Sequence, residues 1–184
     1  AEDFKIEISN SLENQNWQSY IPAKKEVLIG GLSFLKNWII RSETSNALDK
    51  LFVRNISTNV EEELIFSDET IIVPGVSLTQ RDRNTDDVYL GYSSPKTPSR
   101  VYKYNLVSKS KELVKEQEIP SGHKPDDYIV ERVEFKSHDG RLVPLTITRH
   151  KKTKIDGSAG CCASSPPPPS IEAKAATLLV PRCK

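Results

Sequence analysis

The chain is 184 residues long and contains no methionine, and its three cysteines, Cys161, Cys162 and Cys183, are confined to the last 24 residues. A disulfide scaffold distributes its cysteines through the fold, so the first 160 residues must be held by packing. A cysteine-free body is compatible with a reducing cytosol, and a cytoplasmic location is expected. With no histidine near it and a proline-rich flank, the vicinal Cys161-Cys162 pair reads as two uninvolved thiols; a redox or metal pair is the alternative. Charge of one sign is also lacking. The net charge is +1, which offers nothing to the phosphates of nucleic acid or to an acidic membrane face. No apolar run approaches the roughly 20 residues that a spanning helix needs. The opening AEDFKIEISN has neither the basic nor the apolar region of a signal peptide, and the start reads as an internal cut. No glycine-rich phosphate loop is present: IGGLS (Ile29–Ser33) lacks both the spacing and the lysine.

What is there is a repeat. DKLFVRNI (Asp49–Ile56) and SRVYKYNL (Ser99–Leu106) align without a gap, 50 positions apart. Each alternates apolar and polar residues and ends on Asn55 or Asn105 before an apolar residue. Upstream, NWIIRSETS (Asn37–Ser45) sits opposite DVYLGYSSP (Asp87–Pro95). Downstream, EELIF (Glu62–Phe66) answers KELVK (Lys111–Lys115). The first strands of the two units are VLIGGLSFL (Val27–Leu35), where Gly30-Gly31 permits close approach, and GVSLTQRD (Gly75–Asp82), with Pro74-Gly75 as a turn before it. A partial copy opens the chain with DFKIEI (Asp3–Ile8) and NWQSYI (Asn16–Ile21). Four short alternating strands in about 50 residues are the pattern of a β-propeller blade; an ordinary β-meander is the alternative.

After Pro120 the repeat stops. PSGHKPDDY (Pro120–Tyr128) is a turn-rich connector. YIVERVEFKSHDGRLVPLTITRHKK then reads as a β-hairpin turning at Asp139-Gly140, with Val130, Val133 and Phe135 on one arm and Leu142, Leu145 and Ile147 on the other. The fold expected is all-β: about two four-stranded blades plus part of a third over residues 1–119, a connector and hairpin over 120–157, and a disordered tail over 158–184. In that tail SSPPPPS favours polyproline II, with an SH3-type ligand as a weak alternative. AKAATLLV (Ala173–Val180) is too short for an isolated helix beyond a turn or two.

The phrases GYSSPKTPSRVYKYNL, KEQEIPSGHKPDDYIVERV, SHDGRLVPLTITRHKK and NWQSYIPAKKEVLIGGLSFLKNWII resemble the prolyl oligopeptidase family of serine peptidases, in particular its oligopeptidase B branch. The resemblance runs from near residue 1 to about Ala159. It implies a seven-bladed propeller capping an α/β-hydrolase domain, with the hairpin opening that domain, and cleavage of short peptides, after Lys or Arg in this branch. The propeller would restrict access. The departure comes at GCCASSPPPPS, where the family continues into an apolar strand and a Gly/Tyr-rich turn. The resemblance therefore implies that the nucleophilic serine, the aspartate and the histidine lie in a hydrolase domain missing here, and the tail reads as a junction with foreign or non-coding DNA, or a mispredicted exon.

No catalytic, substrate-binding or metal residue is assigned, and no cofactor is expected. The near-match to a G-x-S-x-G elbow, GLSFL (Gly31–Leu35), has Leu35 at the second glycine position and lies in a strand, so Ser33 is no nucleophile. His123, His138 and His150 are expected at the surface without a catalytic or metal role. Glu61-Glu62-Glu63 and QRDRNTDD (Gln80–Asp87) are expected as solvated loops and blade edges. The reading is a truncated peptidase, inactive alone, whose partners are short peptides and a missing hydrolase domain. The alternatives are a blade-based interaction module, or one half of a split peptidase completed by another chain.

Overall fold

A computed structural model describes residues 4–11, 13, 16–77, 83–160, 162–164 and 176–179, the last two segments by backbone alone. Among these residues there are strands and one short 3-10 turn at Pro125–Asp127, and no α-helix. Among the described residues no helix is long and apolar enough to cross a membrane.

The strands fall into four sheets. β1 (Ile6–Ile8) and β2 (Gln18–Ile21) form a two-stranded pair. β3 (Val27–Phe34), β4 (Trp38–Ser45), β5 (Leu48–Asn55) and β6 (Glu61–Glu63) form a four-stranded antiparallel meander in chain order. β7 (Val73–Ser77), β8 (Asp87–Ser93), β9 (Arg100–Asn105) and β10 (Lys111–Glu116) repeat that order. β11 (Tyr128–Lys136) and β12 (Leu142–His150) make the expected hairpin. By contacts the chain divides into two compact units, residues 1–91 with 102–112, and residues 92–101 with 113–184.

In the first unit the buried apolar residues Ile40, Leu51, Val53, Leu64, Val88 and Leu90 come from successive meanders. The two units of the repeat end their third strands in the same turn. Asn55 Oδ1 accepts from the amides of Ser57 and Thr58 at 3.0 and 3.1 Å. Asn105 Oδ1 accepts from Val107 and Ser108 at 3.1 and 2.8 Å. The turns close through Asn55 N to Val60 O and Asn105 N to Ser110 O, at 2.9 and 3.0 Å. Asparagine stands at both starts because its short amide satisfies amides two and three residues on.

The repeat is less regular one strand upstream. Ile56 N donates to Asn37 O and Leu106 N to Asp86 O, both at 2.9 Å. Asn105 stands 50 positions after Asn55, but Asp86 only 49 after Asn37. The second strands are thus offset by one from the gapless pairing read in the sequence, and a one-residue shift exchanges the faces of a strand. In the corrected register Arg41 and Glu43 occupy the places of Leu90 and Tyr92, and all four are buried. The slip is absorbed in the connections: β4 and β5 join through Asn46-Ala47, both at positive φ, whereas β8 and β9 are separated by residues 94–99.

Two further expectations are corrected. Pro74-Gly75 is not a turn before a strand but lies inside β7. That strand is at the end of its sheet, where a proline with no N–H to donate is tolerated. The part of GVSLTQRD from residue 78 to 82 lies outside the described residues. Two segments of the tail expected to be disordered are strands: β13 (Cys162–Ser164) and β14 (Ala176–Leu179). β14 runs parallel to β12, pairing Leu145 with Ala176 through Thr148 with Leu179, and β13 runs antiparallel to β14. The free edge of β12 offers unpaired backbone groups, and an apolar segment such as ATLL satisfies them better as a strand than as a short helix. Cys161, Cys183 and the four prolines lie outside the described residues.

The hairpin turn forms as expected. Gly140 has φ +85°, Gly140 N donates to Ser137 O at 2.9 Å and Ser137 N to Arg141 O at 2.8 Å. At Gly30-Gly31 the close approach is to a side chain rather than to backbone. Pairing of β3 with β4 shifts between Ile29 and Leu32. Gly31 N donates to Ser42 Oγ at 2.9 Å, and a Cβ on Gly30 would stand 2.5 Å from that oxygen.

Candidate functional site

Acyl transfer by a serine requires a base within hydrogen-bond reach and a carboxylate that orients it. Ser33 is half-buried in β3 opposite Ile40, and Leu35 after it is buried. It stands in a strand rather than on a strand-to-helix elbow, as expected. A serine and a histidine do meet in the hairpin turn, where Ser137 Oγ is 3.3 Å from His138 Nδ1. Asp139 follows them, but its carboxylate serves the turn. It accepts from the Arg141 amide at 3.1 Å, and this bond, helped by the Ser137 hydroxyl, holds it below the usual aspartate range. His138 is exposed, and nothing there forms a cleft around the hydroxyl.

The other two histidines depart from the surface positions expected of them. His150 is buried and His123 half-buried. The β11–β12 register places Tyr128 opposite His150, and the two rings meet edge to face with centroids 5.4 Å apart. The His123 ring lies 4.8 Å from the other side of Tyr128, and its Nε2 donates to Lys96 O at 2.6 Å. His150 Nδ1 accepts from Lys152 N at 3.1 Å, so that nitrogen carries no proton. The column His123–Tyr128–His150 is thus spent on backbone groups and ring packing. Among the described residues no group of three His, Cys, Asp or Glu side chains has a metal-binding arrangement.

The densest polar site is one that the sequence reading passed over. Arg41 projects from β4 and is only 2% exposed. Its Nε and NH2 donate to Glu43 Oε1 at 2.9 and 2.7 Å, and NH2 also reaches Glu61 Oε1 at 2.9 Å. Its NH1 pairs with Glu61 Oε2, and the guanidinium stacks 4.8 Å over the Phe52 ring. Arg54 Nε donates to Glu61 Oε2 at 2.9 Å while its own guanidinium lies 4.7 Å over the Tyr20 ring of β2. Burial opposes charge on Arg41, but the hydrogen bonds to Glu61 and Glu43 outweigh it and raise its pKa. Hydrogen bonding to Arg41 in turn holds the Glu61 carboxyl below its ordinary value. The cluster ties β2 to the β3–β6 sheet, and the buried Arg41 guanidinium is committed to Glu43 and Glu61.

Of the acidic runs expected as solvated loops and blade edges, Glu61–Glu63 form the edge strand β6 and residues 83–87 lead into the inner strand β8, and several of their side chains are paired. Glu61 is partnered as above, Glu62 meets Lys109 Nζ at 2.5 Å and Glu63 meets Lys50 Nζ at 3.0 Å. In the second run Trp38 Nε1 donates to Asp86 Oδ1 at 2.7 Å. Asp87 accepts from Asn105 Nδ2 at 2.7 Å and pairs with Lys103 at 3.0 Å, which lowers its pKa. The signal was present as Arg41 and Glu43 two positions apart on one strand, with Glu61 two strands away; what hid it was the register.

A cavity of about 430 Å³ opens beside the start of β5, floored by Leu51, Leu64 and Phe66 and rimmed by Asp49, Asp68 and Glu69. Its size is that of a small-molecule pocket. Asp49 is already engaged by the Thr44 hydroxyl at 2.5 Å, the Ser67 hydroxyl that lines the space accepts from the Glu69 amide at 3.1 Å, and no histidine is there to act as its base.

The geometry is that of structural blades, and comparison with known proteins agrees. Residues 4–117 match the family described as prolyl oligopeptidase, N-terminal beta-propeller domain. The chain is 24% identical over 143 residues to the dual function macrocyclase-peptidase POPB of Amanita bisporigera, covering 77% of this chain and 19% of that protein. It is 29% identical over 116 residues to the prolyl oligopeptidase ophP of Omphalotus olearius, covering 62% of this chain and 15% of that protein. The chain thus spans about a fifth or less of these curated relatives. Its fold matches oligopeptidase B from Trypanosoma brucei, solved with covalently bound antipain, with a TM-score of 0.71 at 18% identity, over 90% of this chain and 26% of that one. Oligopeptidase B from Leishmania major gives 0.69 at 16% identity over 90% and 26%. These structural matches extend past residue 117, where the propeller match ends. The chain therefore belongs to the prolyl oligopeptidase family, and residues 4–117 are part of its N-terminal β-propeller.

Proposed function

We propose that this chain supplies propeller blades and the opening hairpin of a serine peptidase that acts on short peptides in the cytoplasm, cleaving after Lys or Arg. In this reading the propeller restricts access to the site, and the serine, aspartate and histidine belong to a hydrolase domain outside these 184 residues. The observation that carries it is the propeller match over residues 4–117, continued by structural matches that cover 90% of the chain. The preference for basic residues rests on the phrases shared with the oligopeptidase B branch. A peptide partner is supported by a relative, the prolyl oligopeptidase B of Galerina marginata, which has been solved with a 35-residue hydrolysis and macrocyclization substrate.

The chemistry of the described residues is consistent with dependence on another domain. Ser33 has no histidine beside it, and the serine that does meet a histidine, Ser137, sits in an exposed turn whose aspartate is committed to backbone. The purified 184-residue chain is expected to leave a fluorogenic Arg peptide intact and to take no label from an active-site serine reagent. Turnover that persists through stringent purification and is abolished by that reagent would overturn the reading.

A further inference from the structure

The cavity beside the start of β5 is walled by blade residues alone. Its floor residues Leu51, Leu64 and Phe66 are all buried. Leu64 N donates to Leu51 O at 2.8 Å, so the floor continues the β5–β6 pairing past Glu63. Residues of the connection to β7, as far as Pro74, complete the lining. All of them belong to the first compact unit, and no residue beyond Pro74 is needed to form the cavity. It stands at the β6 end of its sheet, away from β3.

The rim is of one sign. Four carboxylates, Asp49, Glu63, Asp68 and Glu69, line the cavity against one lysine, Lys50, and that lysine is already 3.0 Å from Glu63 Oε2. Lys111 of β10 donates to Phe66 O at 3.0 Å and is likewise engaged. Among the described residues Asp68 is exposed and makes no ion pair. The whole chain has a net charge of +1, so the excess of carboxylates is local. An apolar floor offers no oxygen cage to replace the water of a bare metal ion, and the rim repels an anion. A neutral apolar molecule leaves the carboxylates unanswered. An aliphatic stem ending in a cation answers both, with the stem on the floor and the head in water among the carboxylates.

We propose that this cavity binds an aliphatic chain ended by an ammonium or guanidinium, the chemistry shared by a lysine or arginine side chain and a free alkylamine. The stem lies against Leu51, Leu64 and Phe66 and loses apolar surface to water. The head stays at the rim by Asp68 and Glu69, where it keeps its hydration and the cost of burying a charge does not arise. Charge at the rim then selects the ligand more than it tightens it. No serine, histidine or further domain takes part. A failure to bind amines leaves the peptidase reading standing, and a failure of that reading leaves this one standing.

Titration of the isotope-labelled 184-residue chain, followed by amide NMR, tests it. Pentylamine is expected to give saturable shifts at residues 48–51 and 64–70. Pentanol is expected to bind about fivefold more weakly, the factor that one cation–carboxylate contact in water supplies, and pentanoate not to bind. Asp68→Asn combined with Glu69→Gln is expected to bring pentylamine down to the pentanol value with the rest of the spectrum unchanged. Salt at about 1 M, where the screening length falls to about 3 Å, is expected to do the same in the parent chain. If the double variant loses its dispersed spectrum, the salt series and the pentanoate comparison decide. A blocked Ala-Lys-Ala peptide bound more tightly than pentylamine assigns the cavity to peptide side chains, and one bound more weakly assigns it to free amines. No saturable shift with pentylamine, pentanoate bound as well as pentylamine, shifts confined to other residues, or a folded double variant that binds like the parent would each overturn the proposal.

Discussion

Trp38 and Asp86 are 48 residues apart, and the indole N–H of the first donates to the carboxylate of the second at 2.7 Å. Trp38 opens the second strand of one meander and Asp86 immediately precedes the second strand of the next. The bond is reinforced nearby by Lys36 N to Arg83 O at 2.9 Å and Arg83 NH1 to Phe34 O at 3.0 Å. Adjacent repeats are therefore joined by polar stitches at the strand ends as well as by Ile40, Val53, Val88 and Leu90 in the core.

Trp38→Phe keeps the ring and removes the donor. A hydrogen bond to a charged acceptor contributes about 1.5–3 kcal/mol, and the half-buried setting places the expected loss near the lower figure. Asp86→Asn, which retains an acceptor oxygen, is expected to lose less. Urea denaturation midpoints for the two variants against the parent chain measure the difference, and an undisturbed midpoint for Trp38→Phe would show the stitch to be idle.

Glu61 makes stability depend on pH in a definite direction. Its carboxyl is held below the ordinary value of 4.5, chiefly by its hydrogen bonds from Arg41. A group depressed in the folded state stabilises fully above its unfolded pKa, and that contribution is lost as pH falls through the lower folded value. The denaturation midpoint is expected to be level near neutrality and to drop in acid below pH 4.5. Glu61→Gln should flatten part of that drop. At neutral pH the same substitution should cost about 3 kcal/mol, since it leaves a buried guanidinium short of a countercharge. Parallel urea titrations of parent and variant at neutral and acid pH provide the check; identical acid sensitivity in the two would exclude Glu61 as its source.

Gly30 and Ser42 should be energetically coupled. A methyl group on Gly30 would meet Ser42 Oγ at 2.5 Å but Ser42 Cβ at 3.6 Å, an ordinary contact. Gly30→Ala is therefore expected to destabilise by about 1–3 kcal/mol, the usual cost of overpacking. Most of that loss should vanish in a Ser42→Ala background, although Ser42→Ala itself removes the bond from Gly31 N. A double-mutant cycle by thermal melting reads the coupling directly, and strictly additive losses would place the strain elsewhere.

Much of this architecture was legible in the chain because it is written in local chemistry. Alternation marked the strands, Asn55 and Asn105 marked two equal turns, and Asp139-Gly140 marked the hairpin. Those signals act over a few residues, so they survive without knowledge of the fold. The site chemistry was legible to the extent that Ser33 reads as a strand residue. His150 was misplaced because its neighbours Lys151 and Lys152 suggested solvent, whereas the pairing of β11 with β12 turns its ring inward against Tyr128.

By itself, then, the sequence determined the class of the protein: short alternating strands, a repeat of about 50 residues, a terminal hairpin and the phrases shared with prolyl oligopeptidases. Tertiary structure decided which face each strand buries. The connection from β8 to β9 is longer than the two-residue turn from β4 to β5, and the resulting slip places Arg41 and Glu43 where the next repeat has Leu90 and Tyr92. Whether a charge is buried depends on register, and register depends on loop length and on partners distant in the chain. The same dependence put Pro74 in an edge strand and a piece of the tail beside β12, since unpaired backbone groups are satisfied by whatever segment the folded chain brings alongside them.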